Sequence, residues 1–119
     1  MKIINLRPQL YTADLKTTLE FYTINLDFRV LSYNEKWNWM SLQHNGVEWM
    51  FTTPDHHRPF DKCIMTGSIY LDVSDVDYWW NKLKDKVEIA YPVETFEYGM
   101  REFAFYDNNG YMIQMGMSI

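Results

Sequence analysis

Several side chains in this chain can do chemistry if the fold gathers them. Glu48 and Asp72 are carboxylates that become general bases if strands carry them into an apolar setting, which raises a carboxyl pKa. Glu102 is a further candidate base, on a strand whose facing the sequence leaves open. Tyr70 or Arg7 can stabilise an oxyanion or enolate beside such a base. Trp37 and Trp39, two residues apart, offer ring faces to a planar cation. His56 and His57 stand beside Asp55, with Asp61 nearby, and a surface metal site there is conceivable. Adjacent residues seldom both reach one ion, so a solvated loop is the simpler reading. His44, just before Asn45-Gly46, reads as a surface residue. Cys63 follows Lys62, but no partner base is identifiable and a buried or merely tolerated thiol is expected.

The chain around them sets bounds. Its 119 residues suit one domain. An aromatic content of 18% excludes disorder. Lys and Arg total 11 against 16 Asp and Glu, a net charge of −5 that argues against a nucleic-acid backbone as partner. It favours neutral or cationic ligands. A single cysteine excludes an internal disulfide and a cysteine-built zinc site. No apolar run reaches the roughly 20 residues of a membrane span, and residues 1–5 carry no signal-peptide pattern. A reduced, soluble, cytoplasmic protein is expected.

The elements that must position these residues come in two copies. Asp14-Leu15 opens a segment with apolar residues at Leu15, Leu19, Tyr22 and Leu26, the spacing of one helix face, with Thr12 or Asp14 as its cap. A shift of 61 residues brings the pattern back as Asp75-Val76 with Val76, Trp80, Leu83 and Val87. Trp79 adds to that face, with core packing favoured over a subunit contact. Strands are expected at 3–11, 28–33, 37–44 and 47–53, then at 67–73, 87–94, 101–106 and 111–117. Asn45-Gly46 is a two-residue hairpin signal and residues 107–110 make a final turn with Gly110 at positive φ. The order is βαβββ twice: module one at 1–53, a linker at 54–66 and module two at 67–119. This predicts an α+β fold, a curved eight-stranded mixed sheet with helices on its convex face.

Strand side chains alternate faces, so the apolar face can be assigned to the helix. Ile69, Leu71 and Val73 take it in the fifth strand, Val47, Trp49 and Phe51 in the fourth, and Met40 and Leu42 in the third. Ile113 and Met115 do so in the last. The opposite face is then lined by Arg7, Gln9, Tyr11, Trp37, Trp39, Glu48, Met50, Ser68, Tyr70, Asp72, Met112 and Gln114, with Ser41 and Gln43 beside them. A few polar groups among aromatic walls is how small-molecule pockets are built. The competing reading is that these side chains fill the concavity against one another or against a second subunit.

Residues 11–15, Phe21-Tyr22 and residues 26–28, inside paired βαβββ modules, resemble the opening of the glyoxalase/bleomycin resistance/extradiol dioxygenase (vicinal oxygen chelate) superfamily. Residues 98–103 followed by 107–114 are similar to its C-terminal signature. Asp27 stands where the family often has Gly, and Asn108 where it often has Pro. The resemblance implies a divalent ion held by four side chains in the metal enzymes, at positions that here carry Arg7, Met50, Ser68 and Gln114. Only Gln114 is a plausible ligand: a guanidinium does not coordinate, a thioether suits hard ions poorly and a hydroxyl is weak. No metal and no cofactor is therefore expected. What remains resembles the bleomycin-resistance branch, which implies a homodimer that binds a small molecule without chemistry. A cationic aromatic, antibiotic-like ligand is the expected class, with no nucleic-acid or membrane partner. The alternatives are a lyase, isomerase or dioxygenase-type enzyme, cofactorless or with unassigned metal ligands, and a structural protein whose concavity is plugged by aromatics.

Overall fold

The structure, a computed structural model, describes residues 1–55, 57 and 59–119. Two compact units divide the chain, Met1–Asp61 and Lys62–Ile119.

The first unit runs β1 (Gln9–Tyr11), α1 (Leu15–Glu20), a π-helical turn (Phe21–Asn25), β2 (Arg29–Asn34), β3 (Trp39–His44) and β4 (Val47–Thr52). The second repeats this as β5 (Ile69–Asp72), α2 (Val76–Leu83), β6 (Glu88–Thr95), β7 (Met100–Tyr106) and β8 (Met112–Ser118). Hydrogen bonding joins the strands as two four-stranded sheets, ordered β1-β4-β3-β2 and β5-β8-β7-β6. In each, the first strand runs parallel to the last and the others pair antiparallel. Among the described residues, eight strands, two α-helices and mixed pairing are the α+β architecture expected of tandem βαβββ modules. Among the described residues no helix is long and apolar enough to cross a membrane.

The two helices start for the same reason. Asp14 is extended and its carboxylate accepts from the Lys16 and Thr17 amides at 3.0 and 3.3 Å. Asp75 does this for Tyr78 at 3.1 Å. Each satisfies amide donors left open by the first helical turn. Thr12 is buried instead, its hydroxyl 2.7 Å from that of Thr18. Under α1 and the π-helical turn, Tyr22, Trp49 and Phe51 are fully buried in mutual ring contact at 4.9–5.9 Å. Trp80 of α2 meets Phe103 edge-on at 5.4 Å. Trp79 is half-buried, stacked on Tyr78 at 5.5 Å with the Lys82 ammonium 5.1 Å from its ring.

The β3–β4 hairpin has the expected register, His44 opposite Val47, with Asn45 and Gly46 both at positive φ. Gly110 also has positive φ, in a turn held by the Asp107 carboxylate on the Asn109 and Tyr111 amides. Asp27 lies at φ 57, a left-handed conformation that glycine takes freely. Three expectations need correction. The first strand starts at Gln9 rather than residue 3; Pro8 has no amide to offer, and Ile3, Ile4 and Leu6 are exposed. Trp37 lies outside β3, in the turn before it, because Asn38 takes φ 51 and the Asn34 side chain accepts from the Trp37 amide at 3.0 Å. Val47, at the hairpin end, is 45% exposed rather than packed under a helix.

Candidate functional site

Each sheet has a helix-packed face and a face that carries the polar side chains. In the second unit Phe103, Phe105, Ile113 and Met115 are buried on the helix side. Arg101 shares that side, its guanidinium 2.9 Å from Asp77 of α2. Alternation then turns Glu102 and Ala104 to the other face, with Tyr70, Met112, Gln114 and Gly116.

Glu102 is the centre of that face. It is 1% exposed. Its Oε1 accepts from the Tyr98 hydroxyl at 2.5 Å and more weakly from Tyr70 at 3.4 Å. Its Oε2 accepts from the Tyr91 hydroxyl in a short hydrogen bond, and from the Gln114 amide at 3.3 Å. That amide also donates to the Tyr91 oxygen at 2.8 Å, while Gln114 Oε1 accepts from Ser68 at 2.5 Å. Burial and the neighbouring Glu102 charge push the Tyr91 phenol up to about 12, although the Gln114 hydrogen bond opposes this. The bond to Glu102 raises Tyr98, and burial, then Glu102, raises Tyr70. All three phenols therefore keep their protons and donate at neutral pH. Phe96 meets Tyr91 edge-on at 5.9 Å and stacks on Tyr98 at 5.3 Å, so the carboxylate has an aromatic surround.

Space for this cluster depends on Gly116. A Cβ there would stand 2.0 Å from the Tyr70 hydroxyl and 3.1 Å from Glu102 Cβ.

The corresponding face of the first unit is built differently. Arg7 and Glu48 form an ion pair at 2.9 Å with side chains 46% and 23% exposed. Strand register puts Gln9 beside Met50, Tyr11 beside Thr52, and Trp39 opposite Thr52. The Ser41 hydroxyl on this face is buried without a hydrogen-bond partner among the described residues.

The structure thus brings Ser68, Tyr70 and Gln114 together and, separately, Arg7 and Glu48. Asp72 and Met112 share the second unit's polar face but enter no hydrogen bond of the Glu102 cluster. Trp37 stands apart at 69% exposure, with the Lys36 ammonium 5.3 Å from its ring. Of the histidine loop, Asp55 accepts from the His57 amide, and His56 lies outside the described residues. His44 Nδ1 is 3.2 Å from the Asp27 carbonyl, and Cys63 is half-buried. Strand alternation in the sequence points to neither Tyr91 nor Tyr98 and gives Glu102 no face. The repeat held the signal for Glu102: Trp39 pairs with Thr52 as Glu102 pairs with Gly116, so the two occupy one position in the repeat.

The four positions that resemblance gives to a metal do not fit one. In the first unit Arg7 is charge-paired with Glu48, and Met50 brings only a thioether. In the second, the Gln114 oxygen already accepts from Ser68 and its amide nitrogen serves Tyr91 and Glu102. Among the described residues no group of three or more His, Cys, Asp or Glu is placed to hold an ion.

With two βαβββ units and this face described, the class of protein is defined. The profile of the Glyoxalase/Bleomycin resistance protein/Dioxygenase superfamily matches residues 5–115, and the chain belongs to that superfamily. Among solved structures it is similar to a superfamily member from Sphaerobacter thermophilus (TM-score 0.81, 20% identity, 98% of each chain covered). It is also similar to TioX from a Micromonospora species (TM-score 0.79, 17% identity, 98% of this chain and 99% of that one). A third is a lactoylglutathione lyase from Agrobacterium tumefaciens (TM-score 0.76, 13% identity, 98% of this chain and 95% of that one). At these identities the likeness shows the fold alone. No curated protein matches the chain.

Proposed function

We propose that this protein is a metal-free small-molecule-binding member of the superfamily, with its ligand on a polar sheet face. The observation that carries this reading is the commitment of the family's ligand positions to other bonds, Arg7 to Glu48 and Gln114 to Ser68, Tyr91 and Glu102. The unpartnered Ser41 hydroxyl supports it, since a buried hydroxyl without a partner costs about 1–3 kcal/mol and a bound ligand or water would satisfy it. A cationic or neutral ligand suits the net charge of −5. A homodimer is part of the proposal, and the exposed Ile3, Ile4 and Leu6 give a second copy apolar surface to cover. Tryptophan fluorescence titrated in parallel with aromatic ligands and with Mn, Fe, Ni and Zn ions tests it. The proposal expects a saturable response to an organic ligand and none to the ions; the reverse pattern would sink it.

A cofactorless enzyme is the second reading. Glu102 favours it, because a buried carboxylate is a candidate base and the three protonated phenols beside it are donors for a developing oxyanion. Turnover lost in Glu102→Gln with ligand affinity retained would select this reading.

A further inference from the structure

We propose that Glu102 is the anchor for an ammonium group of the ligand, and that Tyr98 is its internal stand-in, occupying the carboxylate until a cation displaces it. This deepens the binding-protein reading above and rests on it.

A buried carboxylate loses its hydration and is tolerated only where donors replace the water. The fold itself does not require it, because the equivalent position of the first unit carries Trp39. The second unit therefore carries a buried charge that its sister unit does without. Four donors are built around Glu102, and they are not alike. On Oε2, Tyr91 and Gln114 are half-buried and tied to each other, with Ser68 behind Gln114. On Oε1, Tyr70 is distant at 3.4 Å, and Tyr98, 66% exposed, is held by one strong bond and by its stack on Phe96. Tyr98 can swing into solvent, where water satisfies its hydroxyl, and Oε1 is then open to another donor. The Tyr98 bond is already charge-assisted through the carboxylate. An ammonium adds a full positive charge where the phenol offers only a dipole, and that Coulomb attraction is strong in a buried setting. Phe96, edge-on to Tyr91 and stacked on Tyr98, gains a free ring face when Tyr98 leaves, and that face attracts a cation and not an anion.

The test compares benzylammonium, benzyl alcohol and phenylacetate on the full-length protein by isothermal titration and tyrosine fluorescence. Benzylammonium and benzyl alcohol are nearly the same size, so their difference isolates the charge. The inference expects benzylammonium to bind about tenfold tighter than the alcohol, with phenylacetate weakest. Glu102→Gln, with its fold checked by circular dichroism, should erase that preference. Tyr98→Phe keeps the ring and removes the competing hydroxyl, and it should tighten benzylammonium severalfold and benzyl alcohol less, with phenylacetate no tighter. Equal binding of the three probes, a preference that survives Glu102→Gln, or weaker benzylammonium binding in Tyr98→Phe overturns the inference. If Glu102→Gln does not fold, the Tyr98→Phe result decides. Should other aromatic ligands bind without any dependence on Glu102, this anchor fails while the binding-protein reading stands; if no organic ligand binds at all, that reading fails with it.

Discussion

Glu102 holds its place because Gly116 on the neighbouring strand has no side chain. In Gly116→Ala the new methyl would overlap the Tyr70 hydroxyl, so Tyr70 must leave Glu102. Tyr70 is 38% exposed and can turn away, so the expected loss in a denaturant melt is that of the weak Tyr70–Glu102 bond, about 0.5–1.5 kcal/mol. Unchanged stability with Tyr70 still in place would show that the face has slack. The phenols give a second prediction. The folded state raises Tyr91 to about 12, above the ordinary tyrosine value near 10. A raised pKa means the fold favours the protonated form, so this contribution is intact below about pH 10. It is lost as pH rises from about 10 to about 12. Thermal melts across that window should fall more steeply for the wild type than for Tyr91→Phe; parallel slopes would contradict it. These tyrosines were hard to read in the sequence for a physical reason. The pairing of β6 slips on both sides of Tyr91, so simple alternation does not assign its face. Tyr98 lies in a turn, where strand parity says nothing.

Elements were the most legible level, where local chemistry decides them. The two aspartates that begin the helices and the Asn45-Gly46 turn act within a few residues, and the structure has all three. Asp75→Ala should therefore cost about 1 kcal/mol by calorimetry, because the Tyr78 amide loses its acceptor at a helix start. A change below a few tenths would show that water replaces the cap without loss. Legibility failed where an edge is involved. The apolar pattern of residues 3–6 suits a strand, but a strand needs a neighbour along its length, and β1 at the sheet edge pairs only from Gln9 to Tyr11. Trp37 suits β3 by alternation, yet Asn38 turns left-handed and ends the alternation one residue too soon. Pro92 in β6 is tolerated because β6 is also an edge, and pairing is irregular there.

At the level of the whole molecule, the internal repeat carried most of the information. It gave two units with identical strand order and mapped most of the polar face from one to the other. It also marks what differs between them: an Arg7–Glu48 pair in one unit, a carboxylate ringed by phenols in the other. Family membership follows from the fold and the matched profile, while the chemistry follows from side chains that this chain places in family positions. The central claim is that those positions hold no metal. Elemental analysis of untagged protein, purified without chelator, tests it most directly. Less than about a tenth of an equivalent of any transition metal is the result expected from the donor set. One equivalent per chain that survives dialysis would contradict it, and would mean that Gln114 exchanges its bonds to Ser68 and Tyr91 for an ion.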